Sequence, residues 1–402
     1  LSSSNEIVAL NPRGEGVTAG GRAAPGLLPG DIDGEAPKVA RATPICHWFG
    51  TCGGCAAQHM PTNVYADWKR GSVVAALARA GVAAEVGPPI DAHGEGRRRA
   101  TFHARTTEQG QVEVGLMRAR AHEIVDIDAC PLFAPALKSA PAVARAVAEA
   151  LKGTNKPLDI QITATLTGLD VDFRGCGALP PSEARKATEA AQTLDLARLS
   201  NHGVALIERR APLVAFGTVR AALPPGGFLQ ATEAGEAALA GLALDALKGA
   251  GRVADLFCGA GAFALRLAAI HATYAADNDA AAVAALRRAA AQTARGVEAQ
   301  ARDLFRHPLS AAELARFDAV LFDPPRAGAE AQTRQIAASG IMRVVAISCN
   351  AESFARDASV LLDEGYVCEG VTPIDQFRFS AHVEIFAAFR RVKPKKRRSL
   401  LG

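Results

Sequence analysis

No stretch of the 402-residue chain is an uninterrupted apolar run of about 20 residues, so a membrane-spanning helix is not expected. The opening "LSSSNEIVAL" lacks the charged start and apolar run of a signal peptide. An initiator methionine is also missing, and the start is expected to be trimmed or misassigned. A strong charge of one sign is absent too. The net charge of +4 does not by itself mark a nucleic-acid binder. The length excludes a small disulfide scaffold and suggests two or three domains with cores of their own.

What charge there is comes in runs. Arg97, Arg98 and Arg99 stand together, and the C-terminal "RRVKPKKRRS" is strongly basic. Each run reads equally as a solvated face or as an RNA contact.

The sequence does crowd its thiols. Three of its eight cysteines, Cys46, Cys52 and Cys55, share the loop "CHWFGTCGGCAAQHM" with C-x5-C-x2-C spacing, and Cys130 follows in "IVDIDACPLF". In a chain without a secreted scaffold this grouping reads as metal ligation and not as disulfides. Spacing alone leaves zinc and iron–sulfur both open, because each accepts four thiolates. Cys176, Cys258 and Cys368 are expected to be buried and inert.

Residues 1–40 are rich in Gly and Pro and read as short strands joined by turns. Residues 41–225 hold the thiol loop, the helix-like "NVYADWKRGSVVAALARA", and alternating strands such as "RRRATFHARTT" and "QVEVGLMRAR". From 226 onward buried strands alternate with helices: "RVADLF", "ATYAAD", "VEAQARD", "FDAVLFD" and "RVVAIS". That pattern implies a parallel sheet covered on both faces. "YVCEGVTPI" and "HVEIFAAFR" have no helix between them and are expected to close it as an antiparallel hairpin at one edge.

Chemistry-bearing residues fall at the strand ends. In "DLFCGAGAF", Gly259 and Gly261 sit where a strand turns into a helix, a place where the backbone must let a ligand approach. Asp277 ends the next strand, where a carboxylate can accept from ribose hydroxyls. The third glycine of the dinucleotide fingerprint is missing, which disfavours a dehydrogenase. "FDPPRAG" places Asp323 at another strand end and "ISCN" places Cys349 at a third. Asp255, Asp277, Asp323 and Cys349 are therefore expected to border one crevice. A cysteine there serves as a nucleophile if its thiolate is favoured.

"DLFCGAGAF", "FDPPRAG", "ISCN" and the late "HVE", in this order, resemble the S-adenosylmethionine-dependent RNA 5-methyluridine methyltransferase family. "GGFLQAT" resembles its cofactor-entry segment, and the four-cysteine pattern resembles the iron–sulfur ligand set of its 23S ribosomal-RNA branch. "NPRGEGV…LLPGD" resembles a shortened OB-like (TRAM-like) β module. The likeness spans nearly the whole chain and is weakest over 136–225.

The resemblance implies an α/β fold with three parts. A small β module (1–40) precedes an α+β central domain with a [4Fe-4S] cluster (41–225) and a Rossmann-like methyltransferase sheet (226–402). It implies Cys349 as nucleophile and Glu384 as base. It implies S-adenosylmethionine contacts from Gln230, Phe257, Gly259, Asp277, Asp303 and Asp323, with Asp303 at the adenine and with Gln230 and Asp323 also reaching the uracil. Cys46, Cys52, Cys55 and Cys130 are implied as cluster ligands. Ala262 departs from several relatives that carry an amide there, which weakens one polar cofactor contact. The implied partner is RNA, with 23S rRNA favoured and tRNA possible, in the cytoplasm. No membrane or protein partner is implied. The target base must be flipped into the crevice, with Arg97–Arg99 and the basic tail on phosphates. A non-catalytic RNA-binding protein on a degenerate transferase fold is the competing reading.

Overall fold

The computed structural model describes residues 4–392, so most of the basic tail lies outside the described residues. Strands β1 (Ile7–Leu10), β2 (Gly16–Thr18) and β3 (Ala23–Ala24) form an antiparallel meander. This module has three short strands where an OB-fold barrel has five. Asp31 ties it together. Its fully buried carboxylate accepts from the amides of Leu28, Lys38 and Val39 at 2.8, 2.8 and 3.0 Å and pairs with Arg41.

Helix α1 (Thr62–Arg79) and the two-residue β4 (Ile90–Asp91) follow the thiol loop. Both join the C-terminal sheet: Val73, Ala76 and Leu77 of α1 enter its core, and β4 pairs with its outer strand.

A central sheet comes next in the chain. It holds β5 (Arg99–Thr106), β6 (Val112–Met117), β7 (Ile124–Val125), β8 (Leu158–Thr165), β9 (Gly168–Arg174), β10 (Arg198–Asn201) and β11 (Val204–Glu208), ordered β11-β10-β9-β8-β5-β6-β7. Helices α2 (Ala140–Leu151) and α3 (Pro181–Thr193) pack on it, and Phe102, Val147, Leu151, Ile160 and Phe173 make the core between. The hairpin β12 (Leu213–Phe216) and β13 (Val219–Ala222) precedes residue 226 but buries Val214 and Phe216 against Leu286 and Ala289 of the C-terminal unit.

The last sheet positions the site. After α4 (Glu233–Ala246) the elements are β14 (Arg252–Leu256), α5 (Ala264–Leu267), β15 (Ala272–Asp277), α6 (Ala280–Ala290), β16 (Val297–Ala301), α7 (Ala311–Leu314), β17 (Ala319–Phe322), α8 (Glu330–Ser339), β18 (Arg343–Ser348), α9 (Ala351–Asp363), β19 (Tyr366–Asp375) and β20 (Glu384–Arg391). Strand order is β16-β15-β14-β17-β18-β20-β19-β4. Strands β14 to β18 are parallel; β14, β15, β17 and β18 are largely buried, hence their apolar runs, while β16 lies exposed at the edge. The closing pair is antiparallel, as the sequence suggests, but β4 and not β19 forms the outer edge. Chain order reverses between β14 and β17, and the carboxyl ends of the strands there open a crevice. Among the described residues no helix is long and apolar enough to cross a membrane.

Candidate active site

The crevice has a volume of about 560 Å³, within the usual range of ligand sites. Its floor is the turn after β14. Phe257, a non-glycine residue, is held at φ 63°, and Gly259 and Gly261 follow at 52° and 100°. The two glycines do different work. A Cβ on Gly261 would stand 2.5 Å from Cδ1 of Leu286, so Gly261 lets α5 and α6 close up. A Cβ on Gly259 would meet nothing, so this glycine serves the turn's conformation and leaves the crevice open. The Gly259 amide donates to Oδ2 of Asp277 at 2.9 Å, which fixes the carboxylate at the end of β15. The rings of Phe257 and Phe305 lie 5.4 Å apart at one wall.

Gln230, Phe257, Gly259, Asp277, Asp323, Cys349 and Glu384 all line this one crevice, and so does Ala262. Two expected residues do not. Asp303 turns away to cap the amides of Phe305 and Arg306 at 3.0 and 3.1 Å. Asp255, within β14, is fully buried. Burial, then the nearby Asp323, pushes its pKa well up.

Cys349 and Glu384 come from adjacent strands. Ser348 of β18 pairs with Ile385 of β20. Continuing that antiparallel register by one residue puts Cys349 opposite Glu384. The Glu384 carboxyl is buried, and burial followed by Asp323 pushes its pKa well up. The Cys349 thiol is raised to about 11 by burial, then by Glu384 and Asp323, with Arg326 opposing them.

Gln376 was not singled out from the sequence. Its Nε2 donates to Oε2 of Glu384 at 2.8 Å and to Oε1 of Gln230 at 2.7 Å. Gln230 in turn donates to Oδ2 of Asp323 at 2.9 Å. Two amides thus link the two carboxyls in an unbroken chain. The position of Gln376 eight residues before Glu384, in "IDQF" just ahead of "HVE", was the available signal. Phe228, Arg326, Phe377 and His382 also line the crevice, and the motifs "GGFLQ", "DPPR" and "HVE" contain the first, second and fourth of them.

The arginine run is not a solvated face. Arg98 ion-pairs with the buried Glu236 and donates to the Gln230 carbonyl at 3.0 Å. Arg99 lies over the Phe228 ring, 4.5 Å from its centroid, at the crevice mouth. Arg97 points inward toward the cysteines and the Phe377 ring. Tertiary partners absorb charges that the sequence left open to phosphate.

Cys46, Cys52, Cys55 and Cys130 line a second pocket walled by Trp48, Phe49, Leu116 and Phe133. All four are free thiols. Burial is the main cause raising the pKa of Cys52, Cys55 and Cys130, and Arg97 opposes it in each. Among the described residues, however, no group of three or more His, Cys, Asp and Glu is arranged to hold a metal ion. Of the thiols expected to be inert, Cys258 is buried, while Cys176 and Cys368 are only half-buried.

Comparison with known proteins gives four findings. Residues 223–391 match the model of the tRNA (uracil-5-)-methyltransferase family. An uncharacterized RNA methyltransferase of Brucella suis is 44% identical over 382 residues, 91% of this chain and 92% of that protein. The 23S rRNA (uracil(1939)-C(5))-methyltransferase RlmD of Halomonas elongata is 31% identical, over 87% of this chain and 77% of its own length. Among solved structures, the Pyrococcus abyssi tRNA (uracil-54, C5)-methyltransferase, in complex with S-adenosyl-L-homocysteine, superposes with a TM-score of 0.72 at 22% identity, over 96% of this chain and 98% of that one. That likeness shows the α/β methyltransferase fold.

Proposed function

Because this chain belongs to the S-adenosylmethionine-dependent RNA uracil-C5 methyltransferase family, we propose that it methylates C5 of a uridine in 23S rRNA, with Cys349 as nucleophile and Glu384 as base. The observation that carries this reading is the facing placement of those two residues in the crevice that also holds the glycine turn and Asp277.

Uracil C5 is too weak a nucleophile to attack a methyl group unaided. The Cys349 thiol loses its proton to solvent, and its sulfur adds to C6. The C5=C6 electrons then form an enolate over C5 and O4. C5 attacks the methyl carbon of S-adenosylmethionine, which is a consumed substrate here. The sulfonium–carbon bond breaks and its electrons leave on a neutral thioether. Glu384 takes the C5 proton, the C5=C6 bond re-forms, and Cys349 departs as a thiolate. Glu384 must be ionised for this, and an arriving sulfonium favours that state by placing positive charge beside two buried carboxyls. Gln376 fixes the carboxyl's orientation with one charge-assisted hydrogen bond. Gln230 and Asp323 present an amide and a carboxyl that suit a uracil edge. A uridine reaches this depth only when flipped out of its stack.

Ribosomal RNA is the proposed substrate class, in the cytoplasm, on the likeness to the Halomonas enzyme and on the cysteine pocket. The four thiols suit a [4Fe-4S] cluster. They line one apolar-walled pocket with a guanidinium beside it, and the resemblance to the ribosomal-RNA branch favours iron–sulfur over zinc. Cys46, Cys52, Cys55 and Cys130 would hold such a cluster, and its contribution would be to clamp the loop to the segment at Cys130.

The test is incubation with methyl-labelled S-adenosylmethionine and separated ribosomal and transfer RNA. Label in 23S rRNA is expected. Label in tRNA alone would reassign the substrate, and label in neither would overturn the activity. Anaerobically prepared protein should be brown and carry iron; colourless protein holding zinc would overturn the cluster.

A further inference from the structure

The loop from Gln376 to Val383 joins β19 to β20 and delivers Glu384, and its backbone at Phe377, Phe379 and His382 is held by residues 56–69, which directly follow Cys55. The Phe379 carbonyl accepts from the amides of Ala56 and Ala57, directly after Cys55, at 2.7 and 3.1 Å. The Phe379 amide donates to the Tyr65 hydroxyl at 2.8 Å, and that hydroxyl donates to Asp375 at the end of β19. Lys69, 1% exposed, sits one turn further along α1. Its ammonium donates to the carbonyls of Phe377, at 3.2 Å, and His382, and pairs with Asp375 at 2.9 Å. Phe379 itself is a non-glycine residue at φ 61°, a conformation that persists only when its surroundings enforce it.

A buried lysine and a tyrosine hydroxyl spent on three backbone groups of one loop do little for the core, since apolar residues would fill that space as well. Their geometry fixes the loop instead. Two residues of that loop, Phe377 and His382, line the crevice, and Gln376 at its start bonds Glu384.

We propose that Tyr65, Lys69 and the Ala56–Ala57 amides are positioning groups for Glu384, so that an intact cysteine loop is required for removal of the C5 proton but not for binding of S-adenosylmethionine. This rests on the assignment of Glu384 as the base. A slackened loop would stall the reaction after methyl transfer, when Cys349 is still bonded to C6.

The test uses Tyr65→Phe, which keeps the ring against Phe379 (centroids 5.6 Å apart) and removes only the hydroxyl. In the iron-loaded protein we expect faster hydrogen–deuterium exchange across 376–383. We also expect kcat lowered about tenfold for the two lost hydrogen bonds, and a larger fraction of SDS-stable protein–RNA adduct. Visible absorbance and S-adenosylmethionine affinity should match the wild type. Lys69→Met should show the same signature more strongly, and Cys55→Ser should also speed exchange across 376–383. Glu384→Gln runs alongside as the control. If that control traps adduct while Tyr65→Phe and Lys69→Met leave exchange and adduct at wild-type levels, positioning is wrong and the base assignment stands. If the control traps none, the base assignment is wrong, and unchanged exchange across 376–383 would then also overturn the loop's dependence on Tyr65 and Lys69.

Discussion

Cys349 and Glu384 stand at facing positions of one antiparallel ladder, one step beyond the Ser348–Ile385 pair of β18 and β20. A pyrimidine ring between them would meet sulfur on one side and a carboxyl on the other. Glu384→Gln keeps the shape and a hydrogen-bond acceptor for Gln376 but cannot take a proton. Its expected phenotype is a covalent RNA adduct that builds up with methyl already transferred. A gel-resistant complex carrying the labelled methyl group is the readout, with turnover down at least about a hundredfold, the usual scale for a lost general base. Ordinary turnover would move the base elsewhere.

The motifs carrying these two residues are plain in the sequence, but their convergence is not. Strand alternation points to a parallel sheet, and "ISCN" and "HVE" fall at strand termini. Only the register of two strands, set by a loop and a hairpin, makes 349 face 384. Gln376 was harder still: its partners lie 8 and 146 residues away, and an amide has no sequence signature of its own. Asp255 looked like a strand-end acid because its distance from the glycines is right. Asp255 is instead the fourth residue of the five-residue β14, and its side chain lies in the interior. Charge runs mislead for the opposite reason. Their environment is supplied by other segments, as Glu236 does for Arg98.

That pair makes a stability prediction. Glu236 is fully buried between Arg98 and Arg266, the latter at 2.7 Å. Removing the carboxylate leaves two mostly buried guanidiniums without a counter-charge. Glu236→Ala is expected to cost about 3 kcal/mol, the low end for breaking a buried pair, seen as a lower urea midpoint. Arg98 also holds the Gln230 carbonyl, so S-adenosylmethionine affinity should weaken with it. A midpoint within error of the wild type would show that solvent reaches the site.

The nucleophile's ionisation gives a pH dependence. Burial, Glu384 and Asp323 raise the Cys349 thiol to about 11, so at neutral pH it is almost wholly protonated. Below that pKa the thiolate fraction rises tenfold with each pH unit. The logarithm of kcat/KM should therefore climb with a slope near one from about pH 7 to 9, and Cys349→Ala should abolish turnover while binding S-adenosylmethionine normally. A flat profile would mean that thiolate formation does not limit the reaction.

The N-terminal module should fail first in acid. Burial on its own would raise the pKa of Asp31, but the amides of Val39, Leu28 and Lys38 and the Arg41 guanidinium outweigh it and hold the group at about 2. Its ordinary value is 3.8, so the folded module binds fewer protons than the unfolded chain between those values. The stabilisation is complete above about pH 4 and is lost as pH falls through about 2. Hydrogen exchange in residues 7–31 should accelerate over that window ahead of the buried strands β14, β15, β17 and β18, which are held by an extensive apolar core. Asp31→Asn should abolish the window, leaving those residues exchanging quickly at neutral pH as well. If the mutant instead matches the wild type at pH 7, the three amides are satisfied by other acceptors and Asp31 does not anchor the module.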